Sequence, residues 1–133
     1  MIERIRFELT LPPGVNNQYS TVNGRRVLSP EARRWKKQAL VELAGIFAPA
    51  LRERAQAGYL ALFIDFYFET PLRRDLDGGL KIAQDAICAA LEVDDRRVVD
   101  IHLVKRIDPL RPRIAVELEI LPEWSFDDER RVL

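Results

Sequence analysis

Apolar and polar positions alternate from Arg4 to Leu11 (RIRFELTL), with Ile5, Phe7, Leu9 and Leu11 on one side. That period of two predicts a strand with one buried face. The next stretch, residues 12–30, is PPGVNNQYSTVNGRRVLSP, broken by Pro12, Pro13, Gly14 and Gly24. It reads as a long loop, and long loops in small domains are often functional. Ser29-Pro30 has the form of a helix start, serine as N-cap and proline in the first turn. The helix continues through EARRWKKQALVELAGIFA, placing Trp35, Leu40, Leu43 and Phe47 on one side, and Pro49 ends it. Residues 58–69 (GYLALFIDFYFE) form the most continuous apolar run and predict a central strand buried on both faces. The segment TPLRRDLDGG leads into a second helix over residues 78–92, whose buried stripe is Leu80, Ala83, Ile87, Ala90 and Leu91. VVDIHLVKRI (98–107) and RIAVELEIL (113–121) are two more strands, joined by a turn holding Pro109 and Pro112 and expected to pair as a hairpin.

The order is β-α-β-α-β-β. It predicts an α+β domain, an α/β layer with one mixed sheet and two helices on one face. The 133 residues suit a single domain, taken here as 1–120, followed by an acidic tail at 121–133. In that tail Trp124 and Phe126 argue for packing, on the domain or on a second subunit, as readily as for fraying. A composition 47% hydrophobic and 32% charged fits a folded soluble domain.

Charge changes the picture only locally. Lysines and arginines number 21, as do aspartates and glutamates, so bulk charge does not hold this chain on a polyanion. The tail takes four acids and two bases, which leaves the rest slightly positive. Bases recur as pairs: Arg25-Arg26, Arg33-Arg34, Lys36-Lys37, Arg73-Arg74, Arg96-Arg97 and Lys105-Arg106. The single cysteine, Cys88, excludes an internal disulfide or cysteine-rich zinc site and reads as a small core residue. His102 reads as structural. No apolar run is long enough to span a membrane, no secretory leader is visible, and a reducing cytoplasm is the expected location.

The chemistry concentrates in RRDLDGGLK, residues 73–81. Two aspartates one residue apart repel, and two glycines weaken a helix, so the stretch is poor core material. Three chemistries use such a loop. A phosphatase of the DxDGT type wants its first aspartate directly on a buried strand end and a hydroxyl after the glycine. Here TPLRR intervenes and Gly79 takes the hydroxyl's place. A DxD nucleotide-sugar transferase needs a nucleotide-binding half-domain, for which the chain is too short. A metal-dependent nuclease needs carboxylates for a hard cation and positive charge at the phosphate. Asp75 and Asp77 supply the first, and Lys81, four residues beyond Asp77, the second. Plain helix chemistry competes, since Asp77 also suits an N-cap and Lys81 an i,i+4 partner. A second acidic pair, Asp94-Asp95, follows the helix. A helix of that length puts its ends some 20 Å apart, so Asp95 joins Asp75 and Asp77 only if the chain doubles back or a partner subunit supplies it.

Three ordered pieces together resemble the RusA family of Holliday-junction resolvases: LTLPPGVNNQYSTVNGRRVLSPEARRWKK, RRDLDGGLKIAQDAI and DDRRVVDIHLVK. The resemblance implies a crossover-junction endodeoxyribonuclease acting on four-way or branched DNA as an intertwined homodimer. It further implies Asp75, Asp77 and Asp95 as ligands of Mg²⁺ or Mn²⁺, with Lys81 as the catalytic lysine. Arg73, Arg74, Arg96 and Arg97 flank the acidic loops and are expected to hold DNA. Asn16, Asn17, Tyr19, Arg25 and Arg26 are further candidates for the DNA surface. Gly78 stands where the family usually has asparagine, and a catalytically impaired branched-DNA-binding protein is the alternative.

Overall fold

In the computed structural model, residues 2–14 and 17–125 are described. The elements are β1 (Glu3–Thr10), β2 (Tyr19–Val22), β3 (Arg25–Leu28), α1 (Pro30–Ile46), α2 (Pro49–Ala57), β4 (Tyr59–Phe68), α3 (Leu80–Leu91), β5 (Val98–Ile107) and β6 (Arg113–Leu121). The α+β class holds: a four-stranded mixed sheet in the order β1-β6-β4-β5, a separate β2-β3 ribbon and three helices.

Pairing corrects one expectation. β6 does not pair with β5. It lies antiparallel between β1 and β4, while β5 runs parallel to β4 on the other side. The most apolar strand takes the central place, where neighbours on both sides satisfy its backbone. The Asp108 amide donates to the Phe68 carbonyl at 2.8 Å, so the chain stays on the end of β4 as it crosses from β5 to β6.

A second correction concerns β4 itself. Its even positions, Leu60 to Phe68, are buried, while Tyr59, Phe63, Asp65 and Tyr67 are only half-buried. All three helices cover the first face, where Phe7, Leu9, Leu62, Ile64, Phe66, Ile114 and Leu118 make the core with Trp35, Leu43 and Phe47. The other face carries cross-strand pairs such as Arg4–Glu119 (2.7 Å) and Arg6–Glu117 (3.0 Å). There Arg106 meets Asp65 at 2.8 Å, and His102 stacks on Phe63 with its Nε2 3.1 Å from Asp100. Continuous apolar spelling therefore gave β4 one buried face, not two.

Ser29 caps α1 as its position implied, its Oγ accepting from the Ala32 amide at 3.0 Å. Buried Ala32, Trp35, Ala39 and Leu43 follow at helical spacing, and the Trp35 indole donates to the Thr10 carbonyl at 3.0 Å. Pro49 both ends this helix and opens α2, which the sequence pattern had not separated. A proline lacks the N–H a helix interior needs but loses nothing in the first turn. Leu51 and Ala55 fix α2 to the core. Burial pushes the Cys88 thiol up to about 11, with Asp95, Asp85 and Asp94 adding to the shift, as befits an inert core thiol.

Candidate active site

β4, α3 and β5 form a parallel β-α-β unit, with the acidic loop 70–79 on the carboxyl end of β4. In open sheets with such crossovers this is where sites are built. The loop's backbone is held as turns. The Gly78 amide donates to the Asp75 carbonyl and the Leu80 amide to the Asp77 carbonyl, both at 3.1 Å. Asp77 is thus not the side-chain cap of α3. The helix begins at Leu80, Gly79 holds the cap position, and no side chain caps it. The correction has a chemical consequence: the carboxylates of Asp75 and Asp77 are both exposed and pair with no described residue.

Two side chains from other segments and one of its own fix this loop. Gln18, only 2% exposed, donates through Nε2 to the Gly78 carbonyl at 2.7 Å and to the Pro13 carbonyl at 2.9 Å. Lys105 on β5 donates to the Pro71 carbonyl at 2.5 Å and the Arg74 carbonyl at 2.9 Å. Arg74 turns inward and donates to the Pro12 carbonyl at 2.7 Å, its guanidinium 5.3 Å above the Phe68 ring. Its Nε is buried without a hydrogen-bond partner among the described residues. Burial holds the Arg74 guanidinium below its ordinary range, with Glu31 opposing. Gly79 permits a close approach: a Cβ there would lie 2.7 Å from Pro12 Cγ and 3.2 Å from Phe66 Cε1. Beside the loop lies a cleft of about 340 Å³ lined by Pro12, Gly14, Asn17, Glu31, Arg73, Arg74 and Asp75.

Lys81 is 70% exposed in the first turn of α3, its Nζ 3.7 Å from Asp85. Arg73 is exposed at the cleft. Asn17 is exposed, its carbonyl accepting from Ser29 Oγ at 2.6 Å, and Tyr19 lies under the Arg26 guanidinium at 4.2 Å. Asn16 lies outside the described residues. Arg97 donates to the Gly58 carbonyl at 2.8 Å, and Arg96 pairs with Asp94 at 3.1 Å.

The second acidic pair divides its labour. Asp94 Oδ1 accepts from the Arg96 amide at 2.9 Å and caps the short turn Asp95–Arg97. That backbone bond first, then the Arg96 side chain, holds the Asp94 carboxyl below the usual range. Asp95 is exposed and not so engaged. It sits past the far end of α3, whose 12 residues span about 18 Å. Within one chain Asp95 is therefore not brought to Asp75 and Asp77. Among the described residues no three acidic, histidine or cysteine side chains cluster as a cation site.

The donor chemistry nevertheless fits a magnesium-type ion. Such ions take oxygen ligands, keep several waters and often need only one or two carboxylates beside a substrate phosphate. The exposed carboxylates of Asp75 and Asp77 are oxygen donors of that kind, with Arg73 and Lys81 near them in the sequence.

A family model described as Endodeoxyribonuclease RusA matches residues 10–119, most of the chain and all of the site just described. The chain belongs to the RusA endodeoxyribonuclease family. Membership in the RusA family implies nuclease activity on Holliday junctions, a branched DNA substrate. The comparison with curated proteins found no match. No helix among the described residues is long and apolar enough to cross a membrane.

Gln18, Lys105 and Glu31 were missed as site residues by sequence reasoning. Gln18 lies in a stretch without periodicity, and nothing in its spelling marks it as buried. Lys105 was visible only as half of a basic pair. Gln18→Leu keeps the volume and removes both donors. The expected result is single-turnover cleavage slowed about 10-fold or more, as for residues that orient ligands, with junction affinity within a few-fold of wild type. Equal cleavage rates would show that the clamp does not position the loop.

Proposed function

We propose that this chain resolves Holliday junctions as a homodimer, by paired symmetric nicks that depend on Mg²⁺ or Mn²⁺. Asp75 and Asp77 hold the cation on one copy and Asp95 comes from the other. The observation that carries this reading is the exposed, unpaired Asp75–Asp77 loop, fixed by three side-chain clamps, with α3 holding Asp95 at its far end. A two-fold that runs the α3 helices of two copies antiparallel brings each Asp95 toward the other copy's loop, and does so twice. Two sites related by that axis suit two nicks related by the junction's own symmetry.

When bound, the cation supplies Lewis acidity and a nucleophilic water at neutral pH. The chain's own residues do the rest. Lys81 offsets charge that builds on the scissile phosphate. Arg73 meets the backbone beside it, and Asn16, Asn17, Tyr19, Arg25 and Arg26 extend the surface along the DNA. Arg74 orders the loop from below and lends its charge to the cleft. Arg96 and Arg97 stand beside Asp95, so they serve the partner's cleft. Phosphate contacts of this kind position the substrate and make binding fall with salt. Gly78 weighs little against catalysis, since its carbonyl, which any residue has, is the group Gln18 holds.

The test is cleavage of a synthetic four-way junction beside a linear duplex, with Mg²⁺, Mn²⁺ or chelator. Asp77→Asn and Asp95→Asn chains are each expected to be inactive. Unfolded together and refolded, they form mixed dimers in which one site is whole, and nicks return singly. A mixture that stays silent places Asp95 in its own chain's site, and an Asp95→Asn chain that still nicks places it outside the chemistry. No metal-dependent nicks from wild type would end the nuclease reading.

A further inference from the structure

Between Asn17 and Pro30 the chain folds into a two-stranded ribbon that belongs to no larger sheet. Its register runs Tyr19↔Leu28, Ser20↔Val27, Thr21↔Arg26 and Val22↔Arg25. The two turn residues, Asn23 (φ 53°) and Gly24 (φ 77°), are both left-handed, the conformation of the tightest hairpin turn. Residues 21–26 are all exposed, and Val22 at the tip is 52% exposed. An isolated hairpin of four-residue strands is marginal in water, so this one draws its stability from its foot. There the Ser29 amide donates to the Gln18 carbonyl at 2.8 Å and Ser29 Oγ to the Asn17 carbonyl, while Gln18 grips the acidic loop through Gly78.

The ribbon's chemistry is one-sided. From Asn17 to Pro30 it holds no acid, and Arg25 and Arg26 are its charges. Arg26 is braced on the Tyr19 ring, and Arg25, opposite Val22 beside the turn, pairs with no described residue. An exposed valine beside an asparagine and opposite an arginine, at the tip of an arm whose residues 21–26 are all exposed, suits a partner that is anionic outside and apolar-edged within. Duplex DNA has that character. Strands of four residues reach about 13 Å, more than the roughly 8.5 Å depth of the major groove. That groove is about 12 Å wide, admits a two-stranded ribbon and shows each base pair a distinct edge, whereas the minor groove, at about 6 Å, carries a degenerate pattern.

We propose that the 19–28 ribbon enters the major groove of a duplex arm of the branched substrate and sets which sequences are nicked. Arg25 reads a base edge at the tip, and Val22 lies against a thymine methyl when one is present. Arg26, held on Tyr19, meets phosphate. Because Gln18 fixes the ribbon's foot to the loop holding Asp77, the sequence read and the bond cut keep a constant offset. This assignment rests on the nuclease reading above.

The experiment uses the full chain and a set of four-way junctions whose arms carry randomised base pairs around the crossover. Nick positions are sequenced for wild type, Arg25→Ala and Arg26→Ala. Wild type should favour some sequences over others. Arg25→Ala should flatten that preference about tenfold or more at one position. Arg26→Ala should keep the preference, weaken binding across all sequences and lower the salt slope by about one. A wild type without preference, or an Arg25→Ala profile matching wild type, overturns the proposal. Should wild type not nick at all, the nuclease reading fails by itself. The ribbon is then judged by selecting bound duplexes from the same random pool, where a preference lost in Arg25→Ala supports it and its absence overturns it.

Discussion

Asp77→Asn is expected to leave the junction bound and uncut. The substitution keeps the shape of the side chain and removes one of two exposed carboxylates that no described residue neutralises. Removing groups that merely orient metal ligands costs 10–100-fold in affinity or activity. Loss of a ligand itself is therefore expected to lower single-turnover nicking by at least about 100-fold. Binding should hold or tighten, because a negative charge facing DNA has gone. The check is a rate and a dissociation constant measured on the same junction at the same salt, with wild type and chelator beside it. Cleavage within tenfold of wild type would sink the assignment of this loop as the cation site.

Phe66→Ala gives the largest expected loss of stability. The ring is fully buried in the central strand, 5.9 Å from Phe68 between centroids, and directly beneath Gly79. Truncating a core phenylalanine costs about 3–5 kcal/mol, through lost transfer energy and the cavity left behind. Against the 5–15 kcal/mol that typically holds a domain together, this is a large share. The midpoint of a urea titration should fall accordingly with the slope unchanged. Since Phe66 is also the floor on which the acidic loop rests, the folded fraction should cleave more slowly. A drop of under 1 kcal/mol would mean that the site collapses around the gap.

What the sequence showed and withheld follows from range. Ser29-Pro30, the β1 alternation and the α3 stripe are local signals, and each stands where it was read. The acidic loop was legible because two close acids after two arginines and before two glycines make poor core material. The ribbon was spelled by Asn23-Gly24, but its strands are too short for alternation to speak. Partnering was the blind spot. Nothing in VVDIHLVKRI or RIAVELEIL states that β4 lies between them, because that choice is made by the whole sheet competing for its most apolar strand. The two readings of Asp77 stood side by side for the same kind of reason. A cap and a free carboxylate have one spelling, and only the turn bonds at Gly78 and Leu80 separate them.

The place of β6 bears on how the chain acquires its shape during synthesis. β1 is made first, yet it pairs only with β6, in contacts such as Glu3↔Ile120 that span nearly the whole sequence. Until the last strand leaves the ribosome, β1 has no partner and one edge of β4 stays open. Such distant pairings are slow to close, and an unsatisfied strand edge invites other chains. The acidic loop, by contrast, sits in a β-α-β unit complete by residue 107. The unit that carries the acidic loop is thus synthesised before the strand that completes the sheet, and the final strand acts as the latch.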